Sequence, residues 1–137
     1  MMLRHVCKGK LHRLTVTQAD LNYMGSITLD PILMEAADIR PHEMLQITNL
    51  QNGTLWHTYA LPGAVGSGTV CLNGPPARHF QPGDTIIVLS TAWISDDEWS
   101  SLEAKVVFVD EKNNIQSVVK HHPWPPESEV DGSHAQP

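Results

Sequence analysis

Apolar residues in this chain fall in short runs, each ended by residues that turn the backbone, and that rhythm favours strands over long helices. Leu11-His12-Arg13-Leu14-Thr15-Val16-Thr17 alternates apolar and polar side chains, as does Ser26-Ile27-Thr28-Leu29. That is the period of a half-buried strand. Asn52-Gly53 separates Met44–Thr48 from Leu55–Leu61 and signals a hairpin, because both residues tolerate positive φ. Val70-Cys71-Leu72 leads into a second such turn at Asn73-Gly74, and Gln81-Pro82-Gly83-Asp84 introduces the apolar run Thr85–Leu89. Lys105–Val109 and Ile115–Lys120 flank a polar loop as one more strand pair. Helical signals are brief. Asp30-Pro31 reads as an N-cap and a first-turn proline, with Ile32, Leu33, Ala36 and Ala37 as the apolar face, and Asp96–Leu102 has room for one or two turns. The expected architecture is mainly β, a small closed barrel with two or three short helices.

A chain of 137 residues holds one core and not two. The expected domain is 1–120. Beyond it, 121–137 turns to Pro, Glu, Ser and Gly, with Trp124 as its one large apolar side chain. Such a tail buries too little surface to offset its ordering entropy, so a mobile acidic segment is expected there, with docking of Trp124 left open. No run reaches the roughly 20 apolar residues of a membrane span, and the N-terminus has no signal-peptide core. The cytoplasm is the expected location. Net charge is −6, half of it from Glu127, Glu129 and Asp131 in a tail without Lys or Arg. With no basic stripe, neither nucleic acid nor an anionic membrane is an expected partner. Cys7 and Cys71 form no CxxC pair and are expected as buried, reduced thiols. The eight histidines lack ligand spacing, so no metal is expected.

Chemistry enters at Asp20-Leu21-Asn22-Tyr23-Met24-Gly25-Ser26. Gly-Ser is a common linker dipeptide and recurs at Gly66-Ser67 and Gly132-Ser133. A pinned Gly25-Ser26 bond is a different matter. The Ser26 hydroxyl can attack the Gly25 carbonyl, shifting the acyl group from nitrogen to oxygen. Loss of the Ser26 α-proton then expels the Gly25 carboxylate, and hydrolysis of the resulting dehydroalanine leaves a pyruvoyl group at residue 26. Glycine on the acyl side permits an unusual backbone and close approach, and strain at that peptide would help.

The blocks Gly9-Lys10-Leu11-His12-Arg13, Val16-Thr17-x-Ala19-Asp20-Leu21-x-Tyr23-x-Gly25-Ser26, Asn52-Gly53, Thr58-Tyr59-Ala60, Asn73-Gly74 and Gly83-Asp84-Thr85-Ile86-Ile87 follow one another across about residues 2 to 110. In that order and spacing the sequence closely resembles the pyruvoyl-dependent aspartate α-decarboxylases. The resemblance implies a double-psi β-barrel, self-cleaved into 1–25 and 26–137. It also implies a homotetramer with sites between subunits, a possible maturation factor, and conversion of L-aspartate to β-alanine for pantothenate synthesis. The substrate amine would form a Schiff base with the pyruvoyl ketone from Ser26, the cofactor acting as electron sink.

Residue by residue, the resemblance implies Lys10 as a substrate-carboxylate contact and Tyr59 as proton donor. Thr58 would assist self-cleavage at the Gly25 carbonyl, and Tyr23 would line the cleavage loop. Asn73 and Gly74 would lie beside the pyruvoyl group, with His12 near the substrate. Each has a plainer alternative: Lys10 solvated, Tyr59 packing, Thr58 a strand former, Asn73-Gly74 a turn, His12 a packed strand histidine. One position departs from the family. Where it carries an arginine for a substrate carboxylate, this chain has Leu55, and an apolar side chain cannot replace a bidentate donor. Thr48 likewise stands where a tryptophan is common, and Pro75-Pro76 where the family has two small residues. Losing such a pair weakens binding by about 2–5 kcal/mol unless Arg13, Arg78 or a neighbouring subunit's arginine compensates. Three readings follow: an aspartate decarboxylase, the same chemistry on another amino acid such as one with a neutral side chain, or an idle barrel that binds a partner or ligand.

Overall fold

The computed structural model describes residues 1–122. Its strands are β1 (Arg4–Thr15), β2 (Gln18–Asp20), β3 (Ser26–Leu29), β4 (Met44–Asn49), β5 (Leu55–Pro62), β6 (Val70–Asn73), β7 (Thr85–Ile94), β8 (Ala104–Val109) and β9 (Ile115–His121). Two short α-helices, α1 (Pro31–Ala36) and α2 (Asp96–Trp99), and a 3-10 turn at Pro75–Arg78 complete it. The strands bond in the order β2-β6-β3-β5-β4-β7-β1-β8-β9. Strands β1 and β2 therefore bound a seven-strand run, yet only Val16 and Thr17 separate them in the chain. The sheet must curl until its ends meet. The seam is hydrogen-bonded: Val16 N donates to Asp84 O at 2.8 Å and Thr17 N to Val70 O at 2.8 Å. This is the expected small β-barrel, with β8 and β9 added as a hairpin outside β1.

Closure sorts the side chains. Leu11, Val88 and Ile47 form one row across β1, β7 and β4, and Leu72, Ile27 and Ala60 another across β6, β3 and β5. All six are fully buried. Alternate residues point outward. β1 begins well before the expected Leu11 and crosses α1 at Gly9, where a Cβ would lie 2.0 Å from the Ala37 carbonyl oxygen. Only glycine allows that crossing.

Some local expectations need correction. Asp30 does cap α1 with Pro31 in the first turn, but Leu33 and Met34 are the buried pair and Ile32 is 46% exposed. Six residues make too little helix for a full i, i+4 face, so the loop docking sets which side turns in. Asn73-Gly74 is not a hairpin turn. Asn73 ends β6, and Gly74 (φ 76°) leads into the 3-10 turn. Cys7 is exposed; only Cys71 is buried. Strand β9 runs through His121, and the expectations for the remaining tail, Trp124 included, lie outside the described residues. Among the described residues no helix is long and apolar enough to cross a membrane.

Asp30 also ties α1 to the loop before β6. Its carboxylate accepts from Ile32 N (2.9 Å), Gly66 N (3.1 Å) and Gly68 N (2.8 Å). Burial pushes the carboxyl upward, but the three backbone donors outweigh it and hold the group below the ordinary range. Such a group stabilises the fold fully above its unfolded value of about 3.9 and ceases to as pH falls through the folded one. Asp30→Ala is expected to cost about 2–3 kcal/mol. In thermal melts, Asp30→Asn should lose less Tm than wild type between about pH 5 and pH 3.

Candidate active site around Ser26

Strand β3 lies between β6 and β5, antiparallel to the first and parallel to the second. Ser26 pairs with Asn73, and Thr28 with Cys71. Since Ile27 and Leu72 fill the core, these four side chains share the opposite, outward face. There they satisfy one another. Asn73 Nδ2 donates to Ser26 Oγ at 3.0 Å and to Thr28 Oγ1 at 2.9 Å. Asn73 Oδ1 accepts from Cys71 Sγ at 3.1 Å. Burial first, then the negative charge of Asp20, pushes the Cys71 thiol pKa up, which keeps it a neutral donor. The amide is thereby fixed in one orientation with all its bonds aimed at this cluster. Ser26 is fully buried, and its hydroxyl donates to the Met24 carbonyl at 3.3 Å.

The cleavage segment rests on Gly74. A Cβ there would lie 2.8 Å from Gly25 Cα, 2.9 Å from Gly25 N and 2.9 Å from Tyr23 O. Gly74 N also donates to Asp20 O at 2.7 Å. Gly25 itself is less constrained: its Cβ would meet Pro75 Cδ at 3.7 Å and Asn73 O at 4.0 Å, ordinary contacts. The close approach expected of Gly25 thus belongs to Gly74, with its positive φ. Tyr23 lies in this segment and is 56% exposed.

Strand β5 brings the next residues. Ile27 pairs with Ala60, and continuing that register back sets Ser26 beside Tyr59 and Gly25 beside Thr58. Tyr59 shares the outward face with Ser26. Thr58 is buried on the inner side opposite Leu45, and no hydrogen bond joins its hydroxyl to the Gly25 carbonyl. Leu55 and His57 alternate with Tyr59 along the outward face, both exposed.

Lys10 and His12 are not brought to Ser26 within one chain. Strands β7, β4 and β5 stand between β1 and β3. Lys10 does face outward, in a row with Leu89, Gln46 and His57. His12 lies edge-on to Phe108, with ring centroids 5.5 Å apart. Its Nδ1 is buried without a hydrogen-bond partner. Burial, then the charges of Lys10 and Arg13, lowers its pKa, so it is neutral at pH 7. A pocket of about 410 Å³ lies beside it, lined by Arg13, Thr85, Asp110, Glu111 and Gln116 among others. Sequence reasoning missed Thr28 and Cys71. The signal was available, since each lies two residues from Ser26 or Asn73 on its strand.

A curled, nine-stranded sheet in which a strand asparagine holds the serine of a Gly-Ser step is the setting of the site. The chain belongs to the aspartate decarboxylase family, whose model matches residues 2–116. Curated relatives agree. An aspartate 1-decarboxylase of Listeria monocytogenes is 48% identical over 118 residues, 86% of this chain and 93% of the relative. Those of Moorella thermoacetica and Thermoanaerobacter pseudethanolicus are 50% identical over 119 residues and 52% over 112, covering 87% and 82% of this chain and 93% and 96% of theirs.

Two glycine substitutions separate the packing of the segment from its chemistry. Gly74→Ala must move backbone and hold a strained φ, so it should lower stability by about 1–3 kcal/mol and disorder residues 21–25. Gly25→Ala should keep Tm within about 2 °C, because its methyl meets only ordinary contacts. Melting curves of both variants, with proteolysis of the 21–25 segment, check this. Equal losses would mean that the crossing at Gly74 is not what holds the loop.

Proposed function

We propose that this chain is a self-processing decarboxylase that converts L-aspartate to β-alanine and CO₂, using a pyruvoyl group made from its own Ser26. The observation that carries the reading is the Ser26–Asn73–Thr28 cluster directly after Gly25, in a chain of this family. Asn73 holds the Ser26 oxygen at 3.0 Å, on the residue directly after the Gly25 carbonyl. Attack would form the ester and free the Ser26 nitrogen. Elimination would release the new Gly25 C-terminus, and water would then convert the dehydroalanine to pyruvoyl with loss of ammonia. The residues fit such a group: the Asn73 amide, fixed by Cys71, remains a donor for an oxygen at residue 26. Thr58, beside Gly25 in the register, is the residue proposed to polarise that carbonyl, and Tyr23 lines the loop.

Once formed, the pyruvoyl carbonyl supplies the electron sink for loss of the α-carboxylate. The chain's own residues orient and protonate. Tyr59, on the face shared with Ser26, is the proposed proton donor. Asn73 and the Gly74 backbone hold the substrate beside residue 26. Lys10 is the proposed carboxylate contact, with His12 as its neutral neighbour on β1. Because at least two strands lie between Lys10 and Ser26 either way round the barrel, this reading takes Lys10 from a second copy. Exposed Tyr23, Met24, Met44 and Leu55 around the site suit burial between copies, in keeping with the homotetramer. A maturation factor is an optional partner, to be judged by cleavage rate in isolation. The unpaired Cys7 and Cys71 support a reducing, cytoplasmic setting.

Relatives about half identical and called aspartate 1-decarboxylase favour aspartate over a neutral substrate despite Leu55. His57, between Leu55 and Tyr59 on the outward face of β5, is the proposed partner of the side-chain carboxylate. Intact mass should show two chains split after Gly25, and Ser26→Ala one chain. Aspartate should yield β-alanine while leucine and phenylalanine yield no CO₂. His57→Gln should raise KM for aspartate about tenfold, with kcat within about twofold. A purified chain that stays intact, or turns over leucine but not aspartate, overturns the proposal.

A further inference from the structure

We infer that His42 is a positioning residue for the Tyr59 phenol, an inference that rests on the proposed role of Tyr59 as proton donor. The imidazole lies parallel to the tyrosine ring, with centroids 5.7 Å apart and planes 8° from each other. That is offset-stacked geometry, a preferred arrangement of two aromatic rings. Among the described residues the Tyr59 hydroxyl has no hydrogen-bond partner, so ring contact is what limits its swing. Across β4 its neighbour is Met44, itself 58% exposed and a flexible side chain.

His42 holds this place at a backbone cost. Its φ is 70°, the left-handed region, which costs a non-glycine residue about 1–3 kcal/mol. Asparagine and glycine adopt that region too; histidine is the residue common there that also brings a ring. The surrounding loop is over-determined in a way that keeps the strain. His42 N donates to Ala60 O at 2.7 Å, and Ala60 N to Glu43 O at 3.0 Å. Both bonds are made at Ala60, the residue after Tyr59 on β5. The Glu43 carboxylate is then anchored by Lys8 Nζ at 3.2 Å and by the Ser90 hydroxyl. Lys8 also donates to the Asp38 carbonyl, at the other left-handed residue of the loop (φ 57°). With its side chain only 17% exposed, Lys8 is a partly buried tie rather than a surface pair. Strands β1, β7 and β5 together therefore hold the backbone from which the His42 ring projects.

Two variants test the role. His42→Asn accepts the same φ and deletes the ring; His42→Phe restores a ring without imidazole nitrogens. His42→Asn should still cleave after Gly25 by intact mass, with Tm within about 3 °C of wild type. Its KM for aspartate should stay within about twofold, while kcat falls about tenfold and the solvent deuterium isotope effect on kcat rises. His42→Phe should recover most of kcat. Tyr59→Phe, assayed alongside, separates the two layers. If Tyr59→Phe loses activity but His42→Asn keeps wild-type kcat and isotope effect, the positioning role is wrong. The same holds if only KM moves, or if a well-folded His42→Phe recovers nothing. If Tyr59→Phe keeps full kcat, the proton-donor reading falls and this inference falls with it.

Discussion

The two-residue link between β1 and β2 is the constraint on which the rest of the structure depends. Val16 and Thr17 are too short to let the ends of a seven-strand run lie apart, so the sheet has to close. The link is also sealed against slippage. Thr17 Oγ1 donates to Val70 O at 3.1 Å and accepts from Val70 N at 2.9 Å, while Gly83 N donates back to Val16 O at 2.8 Å. Because strand side chains alternate with period two, a one-residue slip would turn Ile27 outward and Ser26 into the core. The seam thus fixes register at β6, and β6 fixes which face of β3 carries the serine.

A second clamp works at the other end. Asn113, at φ 64° between β8 and β9, is buried and bridges three segments. Its Nδ2 donates to Thr15 O at 2.9 Å and Gly68 O at 2.8 Å, and its Oδ1 accepts from Thr15 N at 2.8 Å. Gly68 also donates to Asp30. One loop residue therefore joins the end of β1, the outer hairpin and the cap of α1. Buried polar groups at these joints are paired, as their desolvation requires. Cleavage after Gly25 would cut the chain between β2 and β3, and these cross-links explain why the barrel need not open when it does. Strand β2 stays paired with β6 on one side of the cut, and β3 with both β5 and β6 on the other.

How far the sequence was legible follows from how local each signal is. Alternation at Ser26–Leu29 and the Asn52-Gly53 turn are local, and both appear where expected. The Asp30-Pro31 start of α1 is likewise local and correct. Its buried face was misjudged at Ile32 because docking, not periodicity, orients a helix of six residues. Asn73-Gly74 looks like a hairpin turn to any local rule; its φ serves instead a contact with Gly25, a residue 49 positions away in sequence. His42 could not be read at all. Its ring has meaning only against Tyr59, and its strain only against Lys8 and Glu43. Lys10 and His12 carry the family pattern, yet they lie on β1, which is not a neighbour of β3 in the strand order. A sequence motif does not record where in the fold its residues stand.

This division bears on the one departure from the family pattern. The groups that would make the electron sink lie on β3 and β6 and satisfy one another inside a single chain. The groups that would recognise the substrate's charges lie elsewhere, on β1 and along the exposed face of β5. A change at Leu55 falls wholly in the second set. It neither touches the Asn73 amide nor alters the register that places Ser26, so the self-processing chemistry has no physical reason to suffer from it. Recognition has more freedom, because a carboxylate accepts from any hydrogen-bond donor that reaches it on an exposed, outward-facing strand. The proposed function therefore asks of β5 only another donor on that face, and His57, two residues along from Leu55 and exposed, is the one proposed. The serine and its asparagine have less latitude, since both Nδ2 hydrogens of that amide go to Ser26 and Thr28 and its Oδ1 accepts from Cys71.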